Sequence, residues 1–261
     1  MVTLAGYENF VQIHDSSNSQ VYRAWRVADR RPVIVKFLNR HYPTPEQIRR
    51  YKQEYQLTSQ LDSPGIVKVY SLEEWQRSLA MVLEDFGGVS LKHWLQERSP
   101  VSLSEFLFLA IAITESLGQI HAQQIIHKDI NPANIVFNAE TQQVKIIDFG
   151  IASQLSRENP TLKNPNVLEG TLAYISPEQT GRMNRSLDYR TDFYSLGVTF
   201  YELLTGQRPF VAEDALELVH CHIAQSPPPI ATVSPSVPSA IAQIVMKLMA
   251  KNAQERYQST Q

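Results

Sequence analysis

The stretch His127-Lys128-Asp129-Ile130-Asn131-Pro132-Ala133-Asn134, followed a little further on by Asp148-Phe149-Gly150, decides the fold. It sets a carboxylate and a carboxamide five residues apart, then places a second carboxylate before a glycine. Between the two motifs, Ile135 to Phe137 and Val144 to Ile147 are short apolar segments that read as strands.

On the N-terminal side the chain reads as strands with one helix. Val21 to Val27 and Pro32 to Leu38 are β-branched and apolar, and the polar Ala28-Asp29-Arg30-Arg31 between them predicts a hairpin. Thr44-Pro45-Glu46-Gln47 opens a helix, with Thr44 as cap, Pro45 in the first turn and Gln47 completing a capping box. That helix is expected to reach about Leu61, where Ser63-Pro64-Gly65 stops it. Strands are expected at Ile66 to Tyr70 and Leu79 to Glu84, ended by Gly87-Gly88.

On the C-terminal side helices dominate. Ser102 to Gln123 is apolar around most of its circumference, the pattern of a buried central helix. Tyr189 to Thr205 is a second helix closed by Gly206 and Pro209, and further helices are expected at about Glu213 to Ala224 and Pro238 to Ala250. A rigid Ser226-Pro227-Pro228-Pro229 loop parts the last two. The pattern predicts an α+β protein: a small β-rich lobe over about 1–84, a joining segment at about 85–90 and a larger helical lobe over about 91–261. A cleft lies between them, where ligands favour binding.

Composition narrows the function classes. Of 261 residues, 43% are hydrophobic and 19% charged, as in an ordinary globular protein. Lys plus Arg (24) nearly balances Asp plus Glu (26), so no net field favours nucleic acid or an anionic membrane. The single cysteine, Cys221, forms no internal disulfide, and the N-terminus lacks the pattern of a secretion signal. A cytoplasmic location is expected. The longest strongly apolar run, Phe106 to Ile113, falls short of the roughly 20 residues that span a bilayer and is expected to be buried.

An aspartate to orient a hydroxyl proton, with an asparagine and a second aspartate to hold hard cations through oxygen, is what phosphoryl transfer to an alcohol requires. On these motifs the chain resembles the eukaryotic-type serine/threonine protein kinase family. Further motifs stand in that family's order: Lys36 in Val33-Ile34-Val35-Lys36, Glu54 on the next helix, Ser176-Pro177-Glu178, Asp192 in Asp192-Phe193-Tyr194-Ser195-Leu196-Gly197, and Arg256. Met singly, Asp129 and Asn134 read as turn residues, Lys36 as an edge-strand lysine and Glu54 as a solvated helix residue. Their joint order favours the catalytic reading.

The resemblance implies a mechanism with assigned parts. ATP would lie with its adenine against the backbone of Glu84 to Phe86, between Val21 and Val136, with Leu83 at the back of the pocket. Lys36, held by Glu54, would orient the phosphates, with Ser16 and Ser19 in the loop above them. Asn134 and Asp148 would hold Mg²⁺, or alternatively Mn²⁺, and Asp129 would align the attacking hydroxyl. Thr171 would seat a serine or threonine acceptor of a protein substrate, while Asp192, Glu178 and Arg256 would be structural.

The chain departs from the family pattern at several positions. His14, Ser16 and Ser19 stand where that pattern has the three glycines of a phosphate loop, so the serine hydroxyls are expected to hydrogen-bond in place of open backbone. Asn131 stands in place of a lysine that touches the γ-phosphate, which leaves Lys128, Arg182 or Arg185 to supply positive charge. Lys128 replaces an arginine and loses its bidentate fork. Val167 occupies a usual phosphosite, leaving Ser153, Ser156 and Thr161 as hydroxyls in the segment. Control by neighbouring domains is therefore expected. The run from Glu169 through Arg185 resembles kinase domains at the N-termini of large bacterial signalling proteins, and the family's last helix is barely begun at Gln261, so the chain reads as a piece of something longer. The rival expectation is a pseudokinase, a nucleotide-binding module with a regulatory or docking role.

Overall fold

The computed structural model describes residues 2–16, 18–38, 42–98, 101–155, 170–181 and 187–260. The smaller lobe is a five-stranded antiparallel sheet in the order β1-β2-β3-β5-β4, from strands β1 (Tyr7–Asp15), β2 (Ser19–Arg26), β3 (Arg31–Leu38), β4 (Val69–Trp75) and β5 (Ser78–Glu84). Helix α1 (Pro45–Ser59) packs against β4 and β5. Its start follows from the sequence: the Thr44 side chain accepts the N–H of Gln47 while the Gln47 side chain accepts the N–H of Thr44.

Strand alternation divides this sheet into two faces. Tyr22, Ala24, Val33, Val35, Phe37, Ala80 and Val82 form a core on one of them. The intervening Val21, Arg23, Ile34 and Lys36 line the cleft on the other. On α1, Tyr51, Glu54, Leu57 and Thr58 are buried, a helical stripe that carries the glutamate inward with the apolar residues.

Two readings of this lobe need correction. The strand expected at Ile66 to Tyr70 begins instead at Val69 and runs through Glu73 and Glu74 to Trp75; Ile66 makes only an isolated bridge to Ile146. Strand β1 had no counterpart among the expected strands. Its pairing with β2 slips between Glu8 and Val11 and again between Gln12 and His14, and Val11 and Ile13 are exposed, so no period of two survives in the sequence.

The larger lobe starts with β6 (Val89–Ser90), α2 (Leu91–Arg98) and α3 (Leu103–Ala122), followed by β7 (Ile125–Ile126), β8 (Ile135–Asn138), β9 (Gln143–Ile146) and β10 (Ser153–Gln154). Helices α4 (Arg190–Thr205), α5 (Ala215–Ala224), α6 (Ile230–Val233) and α7 (Ser239–Leu248) complete it. Helix α4 is buried along nearly its whole length and touches both α3 and α7. Gly197 makes the α7 contact possible, because a Cβ there would lie 2.8 Å from Leu248 Cβ and Met249 Cγ.

Helix α3 differs from its expected burial. Phe106, Leu109, Ile113, Leu117 and Ile120 face the core, but Leu107, Phe108 and Ile111 are exposed at 37%, 37% and 58%. At 20 residues it is long and apolar enough, by those two measures, to cross a membrane. Here it packs its inner face on α4 and β9 and leaves the outer one at the surface.

Candidate active site

A cleft of about 1160 Å³ separates the lobes. Val21, Lys36, Glu54, Leu83, Glu84, Phe86, Asp129, Asn134, Val136, Asp148 and Thr171 all line it, as do Ser16 and Ser19. Residues from both lobes thus meet in one cavity. Glu178, Asp192 and Arg256, expected to be structural, lie outside its lining.

Lys36 Nζ donates to Glu54 Oε1 at 2.6 Å and to Asp148 Oδ1 at 3.0 Å. Its backbone carbonyl accepts from the Tyr51 hydroxyl, which anchors the strand to α1. Burial opposes charge on the lysine, yet Asp148 and Glu54 together raise its pKa above the ordinary lysine value. One cation serves two acids, and they divide it unequally. Burial pushes the Glu54 carboxyl up to about 7 against the pull of Lys36. Asp148 is held below the usual carboxylate range: burial works against this, but Lys36 and the Gly150 N–H outweigh it.

The loop from His127 to Asn134 is fixed from below. Asp192 is fully buried at the start of α4, and it accepts the N–H groups of His127 at 2.9 Å and Lys128 at 2.7 Å and Nε2 of His121 at 2.8 Å. Burial disfavours its charge, but the His121 hydrogen bond leads the groups that hold its pKa low. His127 accepts the N–H of Asp129 at Nδ1, so its proton sits on Nε2 and donates to the Ile147 carbonyl at 3.0 Å. Its ring packs edge-on against Phe149, which is buried. Lys128 and Asp148 both take left-handed backbone, with φ of 69° and 65°; such strain persists where the surroundings over-determine it.

These supports aim Asp129. Its Oδ1 accepts the backbone N–H of Thr171 at 2.8 Å and its Oδ2 accepts Asn134 Nδ2 at 2.8 Å. Asn134 Nδ2 also donates to the Asp129 carbonyl, so the asparagine's carbonyl oxygen is left for another partner. Glu178 and Arg256 form a buried bidentate pair at 2.6 and 2.9 Å that ties the end of the segment after Gly170 to the chain's C-terminal part.

Two departures from the family pattern take a different form here than expected. Asn131 is only 2% exposed and does not offer its amide to the cleft. Its Nδ2 donates to the Asp129 carbonyl and Thr171 Oγ1, and its Oδ1 accepts the N–H of Ala133. Ser16 likewise spends its hydroxyl inside its own turn, accepting the N–H groups of Ser19 and Asn18 and donating to the Ser19 carbonyl. Lys128, one candidate for compensating charge, is 5% exposed. Arg182, Arg185, Ser156, Thr161, Val167 and Glu169 lie outside the described residues.

Sequence reasoning missed the residues that join these parts. His121, His127 and Gln179 are among them; the last donates to the Lys128 carbonyl at 2.8 Å and accepts the N–H of Ser176. The contacts that join the parts, His121 to Asp192 and Gln179 to the Lys128 carbonyl, span 71 and 51 positions and leave no local signal, although Ser176 and Gln179 themselves form a capping box. Among the described residues no three His, Cys, Asp or Glu side chains group as a metal cage. Two oxygen donors, Asn134 and Asp148, fit a hard cation such as Mg²⁺, which is held by few protein ligands and completed by substrate phosphates.

A two-lobed fold with a lysine–glutamate pair above the cleft and a braced aspartate below it defines a phosphotransferase of the kinase class. The chain belongs to the protein kinase domain family, which matches residues 7–261. It is similar to the serine/threonine-protein kinase PrkC of Bacillus subtilis, at 33% identity over 93% of this chain and 37% of the relative. It is also similar to the serine/threonine-protein kinase PknB of Mycobacterium tuberculosis, at 31% identity over 92% of this chain and 39% of the relative. A probable serine/threonine-protein kinase PknB of Lactococcus lactis matches at 31% over 87% of this chain and 36% of that protein. The chain therefore spans well under half the length of these relatives.

Proposed function

We propose that this domain, with its lobes at about 1–84 and 91–261, moves the γ-phosphoryl group of ATP onto serine or threonine hydroxyls of a protein substrate. The observation that carries this reading is the bracing of Asp129 by Thr171 N–H and Asn134 directly across the cleft from the Lys36–Glu54–Asp148 group. Lys36 orients phosphate oxygens, and Glu54 keeps it in place. Asn134 and Asp148 hold Mg²⁺ or Mn²⁺, which supplies neutralisation of charge on the phosphates. Asp129 accepts a hydrogen bond from the acceptor hydroxyl and aligns its oxygen for attack. No covalent intermediate with the protein is needed, because positioning and electrostatics carry most of the barrier reduction. Glu84 to Phe86 receive the base, between Val21 and Val136.

Balanced charge supports a protein rather than nucleic-acid partner, and the greater length of the relatives supports neighbouring domains in a longer chain, to which we assign regulation of a cytoplasmic signalling kinase. The inward-turned Ser16 and buried Asn131 favour one rival, a nucleotide-binding pseudokinase. Labelled ATP, Mg²⁺ and a generic serine/threonine acceptor decide between them, with Asp148→Ala as control. Incorporation that falls by at least about a hundredfold in the variant supports the kinase reading. ATP binding without incorporation by the unmodified domain overturns it in favour of the pseudokinase.

A further inference from the structure

Glu84 at the end of β5 and Asp85, the first residue of the joining segment, are consecutive acids, and each takes a cation from a different lobe. Glu84 accepts Lys145 of β9 at 2.9 Å. Asp85 accepts Arg23 of β2 twice, Nε to Oδ2 at 2.5 Å and Nη2 to Oδ1 at 3.2 Å. The Asp85 side chain is only 5% exposed, and its Oδ1 also accepts the N–H of Gly87 at 2.9 Å, which shapes the turn that follows.

The position of Arg23 gives this pair a task. Arg23, Ile34 and Leu83 stand side by side on β2, β3 and β5, in the row next to Val21 and Lys36. All five residues line the cleft, so the row is part of its roof. Strand β3 lies between β2 and β5, and its backbone already pairs Val33 with Glu84. Strand β2 reaches the joining segment across β3 through the guanidinium. The two-pronged geometry resists both sliding and lifting of the roof, which a single-point contact does not.

We infer that the Arg23–Asp85 pair is a positioning device of the nucleotide site: it sets the height of the β2 roof above the joining segment and thereby sets affinity for ATP, leaving the transfer step unchanged. This rests on the kinase reading and deepens it. Arg23 is 42% exposed, so salt weakens the pair, and that supplies a signature. Asp85 is buried, so losing Arg23 alone strands a carboxylate.

The test compares Arg23→Met, Asp85→Asn and the double variant with the unmodified domain in steady-state kinetics and ATP titration. Asn at position 85 keeps an acceptor for Gly87 and loses the charge. Each single variant is expected to raise KM for ATP about three- to tenfold, the range of one charge-assisted contact discounted for exposure, with kcat within about twofold. The double variant should be no worse than the worse single one, and Arg23→Lys should recover part of the loss. Added salt should raise KM in the unmodified domain and have less effect in the double variant. Unchanged KM in a folded double variant overturns the proposal, as does a fall in kcat at constant KM. Absence of ATP binding by the unmodified domain overturns the kinase reading itself and this proposal with it, an outcome distinct from both.

Discussion

Two loops close on the cleft from opposite lobes, and they are built on different principles. The lower one, His127 to Asn134, is mostly buried and, beyond the hydrogen bonds within it, is tied to distant parts of the chain: Asp192 from α4, Thr171 and Gln179 from the segment after Gly170. In the upper one, Ser16, Asn18 and Ser19 hydrogen-bond with one another, and Asn18 is exposed. A loop braced by buried long-range contacts has one geometry; a self-bonded exposed loop trades its bonds with water at little cost. Substitutions below should therefore strike folding and kcat, and substitutions above should strike affinity.

Asp192→Ala should produce the largest effect. It removes three hydrogen bonds and leaves two backbone N–H groups and His121 without their buried acceptor, a loss of about 3–5 kcal/mol. Thermal or denaturant unfolding measures it, and a loss below about 1 kcal/mol would break the contrast between the loops. Asn131→Ala comes next. It cuts the link between the His127 to Asn134 loop and Thr171 and frees the N–H of Ala133, so kcat should fall about thirtyfold while KM for ATP holds within about twofold. A rise in KM at constant kcat would show instead that this amide faces the nucleotide.

Much of this arrangement was readable in the sequence. Lys36 stands on the strand face opposite Val33, Val35 and Phe37, and Glu54 on the buried stripe of its helix; periodicity alone left both as solvated charges, and it was their place in the order of motifs that assigned them to the cleft. The order of motifs supplied the rest of the cleft lining. What stayed hidden lacks a local signature. Arg23 and Asp85 are separated by 62 positions and Lys145 and Glu84 by 61, and either pair could as well have been four solvated charges. The inward turn of Asn131 was hidden for a related reason: an asparagine in a loop reads alike whether it faces a ligand or its own backbone.

The Lys36 group bridges the two regimes, and its response to pH sharpens the comparison. Burial raises Glu54 to about 7, so the folded state binds its proton more tightly than the unfolded chain does. Its contribution to stability is therefore lost as pH rises from the ordinary carboxylate value towards 7. Activity should run the other way, since only the ionised carboxylate holds Lys36 fully. From about pH 6 to about pH 8 the ionised fraction grows about tenfold, and kcat/KM for ATP should grow with it. Glu54→Gln should remove this rise. A rise that survives in the variant assigns the titration to another group.

Ser16→Ala is the smallest expected change and the most direct probe of the upper loop. The substitution deletes the hydroxyl that accepts the N–H groups of Ser19 and Asn18 but keeps the backbone bond from Ser16 N–H to the Ser19 carbonyl. The turn therefore persists with a looser tip. Water replaces the lost acceptor in part, which leaves a net cost near 0.5 kcal/mol. KM for ATP should rise about twofold, with kcat and the unfolding midpoint unchanged. A fall in kcat of tenfold or so would mean that the serine turn holds phosphates as firmly as the lower loop holds Asp129, and the division between a rigid floor and an adaptable roof would fail.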